Sequence, residues 1–158
     1  MKRLVMLLLA AVIALSLPLS TAARQQVDDV EALKSEAVRS FEEILNLWRD
    51  GNFSELYSRT LISGKDTRES FSKRMAAAPL KPSCCWEKMQ EVNVTVRSPT
   101  SVVIRAKLGL DAPGEMEYKS KAFKLNLEDG QWRIARSELL SLAEAGKSKG
   151  SRKQRVNR

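Results

Sequence analysis

Between Trp86 and Arg136 the chain alternates apolar and polar residues in four segments, and turn dipeptides separate them. Alternation of this kind puts successive side chains on opposite faces of a strand, so each segment reads as a strand with one dry and one wet face. Val92, Val94 and Val96 alternate with Glu91, Asn93, Thr95 and Arg97, and Ser98-Pro99-Thr100 follows as a turn. Val102, Ile104, Ala106, Leu108 and Leu110 share one parity of the second segment, which ends at Asp111-Ala112-Pro113-Gly114. In the third, Met116 and Tyr118 lie on one parity and Phe123, Leu125 and Leu127 on the other. A single strand that keeps both sets inward needs a bulge, expected between Lys119 and Ala122. Asp129-Gly130 is a strong two-residue hairpin signal, and Gln131 to Arg136 is the returning strand.

Upstream of Cys84-Cys85 the period is helical. Val30, Leu33, Ala37, Val38, Phe41, Ile44, Leu45 and Trp48 recur every three to five residues, predicting one helix of about six turns over Asp28 to Arg49. Asp50-Gly51 ends it. Asn52 with Glu55 opens a second short helix carrying Phe53, Leu56, Tyr57 and Leu61, stopped by Ser63-Gly64. Asp66 to Glu69 repeats the capping pattern before a third helix bearing Phe71 and Met75, closed by Pro79. A weak last helix spans Glu138 to Ala145. Helices followed by an antiparallel meander define an α+β domain, with the long helix laid across one face of a curved four-stranded sheet.

The ends have a different character. Met1-Lys2-Arg3, the apolar run Leu4 to Leu15 and the small residues Ser20 to Ala23 form the pattern of a secretory signal cut after Ala22 or Ala23, with an uncleaved anchor as the alternative. Residues 1–23 are therefore expected to be a signal peptide, 24–146 one domain, and 147–158 a disordered basic tail. The formal charge of +8 divides along the same lines. Lys2 and Arg3 belong to the leader, and Lys147, Lys149, Arg152, Lys153, Arg155 and Arg158 to the tail; with these eight set aside from 27, 19 basic residues face 19 acidic ones. The body is neutral. The tail can hold weakly to anionic surfaces, while the lack of interleaved aromatics disfavours nucleic acid.

The chain resembles the nuclear transport factor 2-like superfamily, the cone-shaped α+β fold shared with ketosteroid isomerase and with small exported bacterial domains. Three features carry the resemblance: the long helix ending Leu47-Trp48-Arg49-Asp50-Gly51-Asn52-Phe53, the short helix Ser54-Glu55-Leu56-Tyr57, and the closing hairpin Asp129-Gly130-Gln131-Trp132-Arg133-Ile134. It covers about Val30 to Leu140. It implies a concave sheet and helices enclosing a pocket, used in that superfamily for catalysis, for holding a ligand or for dimerisation. The expected lining is Phe41, Leu45, Trp48, Val94, Ile104, Leu108, Tyr118, Phe123, Leu125 and Trp132, residues that equally suit a packed core.

Catalytic chemistry on this fold implies a carboxylate with a phenol or protonated acid as oxyanion donor. The chain has no histidine, so the commonest general base and metal ligand are missing. Tyr118 and Tyr57 are its only phenols and so the first catalytic candidates. Neither metal nor cofactor is implied. Cys84 and Cys85 can pair with each other, link a dimer, or stay as buried thiols; the spacing of a thioredoxin-type motif is absent. The expectation is an exported, periplasmic or extracellular, non-enzymatic domain that binds a small apolar ligand or an envelope protein. A small-molecule isomerase or cyclase and a homodimeric assembly module are the alternatives.

Overall fold

The structure, a computed structural model, describes residues 19–61 and 66–145. The expected leader before Leu19, the expected Ser63-Gly64 helix stop and the basic residues from Lys147 onward lie outside the described residues. The chain divides into two compact units, residues 1–33 and 34–158. Helix α1, Leu19–Arg49, begins in the first and continues into the second. It thus starts nine residues before the predicted Asp28 and includes the small residues expected to precede a cleavage site. Among the described residues no helix is long and apolar enough to cross a membrane.

Within the second unit the elements follow the expected order. After α1 come α2 (Phe53–Ser58), β1 (Thr60–Leu61), α3 (Arg68–Ala76), β2 (Lys81–Pro82), a 3-10 turn (Cys85–Lys88), β3 (Gln90–Ser98), β4 (Ser101–Ala112), β5 (Glu115–Glu128), β6 (Gln131–Ala135) and α4 (Arg136–Ala143). The sheet has six strands, not four. Its order is β1-β6-β5-β4-β2, and β3 also pairs with β4. β1 and β2 are two-residue strands, one parallel to β6 and one antiparallel to β4, so backbone pairing rather than side-chain alternation defines them. Leu61, expected on the second helix, is consequently a strand residue. Thr67, not Asp66, caps α3, its side chain accepting from the Ser70 amide.

The bulge predicted in β5 is absent. β4 and β5 pair without interruption from Ser101↔Asn126 to Ala112↔Glu115. Register shifts fall instead in β3, between Gln90 and Asn93, where Glu91 takes a φ of 51°, and between Val96 and Ser98. Because β5 is continuous, Met116 and Tyr118 stay on the outer face, 41% and 45% exposed. Glu117, Lys119 and Lys121 then share the parity of Phe123 and Leu125, and Lys119 pairs with Glu117 at 3.4 Å. The hairpin at Asp129-Gly130 is as expected, both residues adopting positive φ (52° and 72°).

Ala37, Phe41, Ile44, Leu45 and Trp48 of α1 are fully buried, as are Val102, Ile104, Leu108 and Leu110 of β4 and Phe123 and Leu125 of β5. Phe41 meets Phe123 with ring centroids 4.8 Å apart, which places the helix stripe directly on the sheet's inner face. Leu56, Phe71 and Met75 extend this core under α2 and α3, and Leu139, Leu140 and Leu142 close it from α4.

Candidate functional site

The residues expected to line an internal pocket are, with two exceptions, solid core. Phe41, Leu45, Trp48, Ile104, Leu108, Phe123 and Leu125 are fully buried and Trp132 is 1% exposed, so they fill the space between helix and sheet. Val94 is half-buried at the β3 edge. Tyr118 is the clear correction: lying on the outer face opposite Gly109, it carries the Lys107 ammonium 5.1 Å above its ring.

Tyr57, the other phenol, is structural. Its hydroxyl donates to the Asp66 carbonyl at 3.1 Å, and its ring meets Phe71 edge-on at 5.7 Å. Over that ring, 4.2 Å from its centroid, sits the guanidinium of Arg136, a residue only 1% exposed. Arg136 donates from Nη1 to the Asp66 carbonyl at 2.7 Å and from Nε to Thr60 Oγ1 at 3.4 Å. Its charge is thus held by an aromatic face, one backbone carbonyl and a threonine hydroxyl, tying α4 to the chain between β1 and α3. The structure does not bring the two tyrosines together, and no oxyanion pair forms between them.

Described residues line several surface hollows, of which three are informative. The first, about 240 Å³, lies between α1 and the β5–β6 hairpin and is lined by Glu36, Arg39, Ser40, Glu43, Arg59, Gly130, Gln131 and Trp132. A second, about 480 Å³, is bounded by Asn52, Ser54, Glu55, Ser58 and Arg68. A third, about 260 Å³, involves Arg105, Ser120, Lys121 and Ala122. Only the first includes a residue expected from the sequence, Trp132.

Among the described residues five buried donors lack partners; those of Trp48, Arg133 and Arg136 lie on residues that line none of these hollows, and the other two belong to the first cleft. Arg59 follows α2, and its carbonyl accepts from the Ile134 amide at 3.2 Å, which fixes its backbone against β6. Its side chain, 14% exposed, donates from Nη1 to Glu43 Oε2 at 3.2 Å and from Nη2 to Ser40 Oγ. Its Nε–H is buried with no partner, and so is the indole Nε1–H of Trp132. Buried donors are ordinarily satisfied, so two unmatched ones on residues lining one cleft single it out. Neither Ser40 nor Arg59 was singled out in the sequence. No periodicity marks them, since the cleft is assembled from a helix face, a helix end and a hairpin.

Two further groups have chemistry. Cys84 and Cys85 are disulfide-bonded to each other on an exposed turn beside Trp86, which is 72% exposed. Cys85 has a φ of 63°, in the left-handed region. The turn is held to the sheet: the Ser83 amide donates to the Gly109 carbonyl at 2.9 Å and Ser83 Oγ to Asp111 Oδ1 at 2.6 Å. Glu138, half-buried on α4, has its carboxyl pushed above the ordinary range by burial, against the opposing pull of the Lys121 ammonium. It is not among the residues lining the cleft. Among the described residues no three His, Cys, Asp or Glu are grouped to hold a metal ion.

By sequence, neither a family profile nor a curated protein matches the chain. By structure, two proteins from Novosphingobium aromaticivorans are similar. A scytalone dehydratase-like protein superposes with a TM-score of 0.52 at 12% identity, over 68% of this chain and 83% of its own. A nuclear transport factor 2-like protein with a cystatin-like fold gives 0.50 at 11% identity, over 77% and 87%. The chain therefore shares the α+β fold of these two structures, the second of which is described as nuclear transport factor 2-like with a cystatin-like fold.

Proposed function

We propose that the chain is an exported, non-enzymatic ligand-binding domain of the bacterial envelope whose binding surface is the cleft between α1 and the β5–β6 hairpin. The observation that carries this reading is the pair of unpartnered buried donors, Arg59 Nε–H and Trp132 Nε1–H, on residues lining that cleft. The space a ligand takes in an open cone of this fold is here filled by Phe41, Trp48, Phe123 and Leu125, which supports binding at the surface rather than inside. Export rests on the leader pattern of residues 1–23, and a weak hold on anionic envelope surfaces on the basic residues of the tail.

Native mass spectrometry of the protein purified from its own host tests this. The expected result is a co-purifying small molecule whose mass is lost in Gln131→Trp, a change that fills the mouth of the cleft. Retention of the ligand in that variant would place binding elsewhere.

A small-molecule isomerase or lyase remains the second reading, favoured by one observation, the raised carboxyl of Glu138 beside Lys121. The dehydratase-like relative belongs to the same fold and lends no residue to this argument.

A further inference from the structure

We propose that the α1–hairpin cleft takes a small ligand through a carboxylate group, gripped by Arg59, Ser40 and Trp132; this rests on the reading of the cleft as the binding surface. The Nε–H and one Nη2–H of a guanidinium lie along a single edge, the edge that the two oxygens of a carboxylate match. In Arg59 that edge is half used. Nη2 donates to Ser40 Oγ, while Nε has no partner. Ser40 is 8% exposed, and because its oxygen accepts from Arg59, its own hydrogen is available to donate toward a ligand. Trp132, 1% exposed, adds an indole N–H that can only donate. Three inner groups therefore offer hydrogens, and the chemistry that answers them is an acceptor.

The charge of the cleft narrows the acceptor further. Two arginines, Arg39 and Arg59, and two glutamates, Glu36 and Glu43, line it, so its net charge is zero. Glu43 already holds Arg59 Nη1 at 3.2 Å. A dianion such as phosphate would meet both glutamates without enough positive charge to offset them, whereas a singly charged carboxylate needs only the unpartnered Nε–H of Arg59 and the Ser40 hydroxyl beside it. At about 240 Å³ the cleft is of a size for a compact metabolite rather than a polymer. The carboxylate would lie against Arg59 and Trp132, with the remainder of the molecule toward Gln131 and Arg39 at the rim.

The test is an NMR titration of the full chain with acetate and butyrate, both singly charged, following the indole Nε1–H resonances. The Trp132 signal is assigned by its loss in Trp132→Phe, and inorganic phosphate and glucose serve as contrasts. The expected result is a saturable shift of the Trp132 signal with the carboxylates, with those of Trp48 and Trp86 unmoved. Arg59→Gln should weaken butyrate at least tenfold, and Ser40→Ala several-fold, at unchanged far-ultraviolet circular dichroism. Should Arg59→Gln fail to fold, Ser40→Ala and the phosphate contrast still decide. Tighter binding of phosphate than of butyrate, or no carboxylate response at the Trp132 indole, would overturn the proposal. If acetate and butyrate fail while a co-purified ligand is lost in Gln131→Trp, the carboxylate class is wrong and the cleft reading stands. If neither responds, both fall.

Discussion

Truncating Phe41 to alanine probes whether the cone is solid. Phe41 is fully buried and its ring lies 4.8 Å from that of Phe123, at the junction of α1 with the inner face of the sheet. A buried aromatic side chain removes about 150–250 Å² from water, which at roughly 25 cal/mol/Å² corresponds to ~4–6 kcal/mol for the whole group. Alanine retains part of that burial, and the void left behind adds a cavity penalty, so the expected loss is about 3–5 kcal/mol. For a domain of this size that corresponds to a fall in melting temperature of roughly 10–20 °C. Urea unfolding followed by far-ultraviolet circular dichroism gives the free energy directly, and an unchanged slope would confirm that the native state alone was affected. A double cycle with Phe123→Ala should show a coupling of about 0.5–1.5 kcal/mol for the ring pair. A loss below ~1 kcal/mol would refute the reasoning, since a ring lining an open chamber is already partly solvated and leaves no new void.

Three further predictions concern other parts of the molecule. A Cβ at Gly109 would come within 2.4 Å of the Glu87 carbonyl oxygen; Gly109→Ala should therefore displace the Cys85–Lys88 turn, cost about 1–3 kcal/mol, and alter the fluorescence of the exposed Trp86. Glu138→Gln should raise the melting temperature at neutral pH, because burial penalises the charged carboxylate. The folded carboxyl has the higher pKa, so the folded state binds the extra proton; the penalty is fully present above that pKa and fades as pH falls toward the unfolded value. The advantage of Glu138→Gln should accordingly vanish by about pH 4, and a constant difference across pH would contradict its assignment to ionisation. Removing residues 147–158 should leave melting within about 1 °C of the full chain and weaken sedimentation with anionic vesicles; a sharp loss of stability would make the tail part of the fold.

Periodicity exposed the framework of this fold and hid its exceptions. The α1 stripe from Ala37 to Trp48 and the β4 face from Val102 to Leu110 were readable because burial on one face imposes a fixed spacing. The Asp129-Gly130 hairpin was readable because few residue pairs accept two positive φ values. β5 was misread for an instructive reason. Its apolar residues change parity, and a bulge would have kept them all inside; instead the strand runs straight, exposes Met116 and Tyr118, and puts the Glu117–Lys119 pair on the inner parity. β1 and β2 carry no side-chain signal, since two paired residues show no period. The cleft was invisible for another reason: Ser40, Arg59 and Trp132 are distant in sequence and meet only through tertiary structure. Of the expected pocket residues, Trp132 alone reaches that cleft; Val94 and Tyr118 lie outside the core, and the others serve as core.

The central claim is that the interior is closed and that binding belongs to the surface, and methyl-resolved NMR under xenon pressure tests it most directly. Xenon enters apolar cavities and leaves close-packed cores unoccupied. The account predicts that the methyl groups of Ile104, Leu108 and Leu125 shift no more than those of the exposed Val92. Saturable shifts centred on those three residues would reveal a chamber between α1 and the sheet and contradict the account.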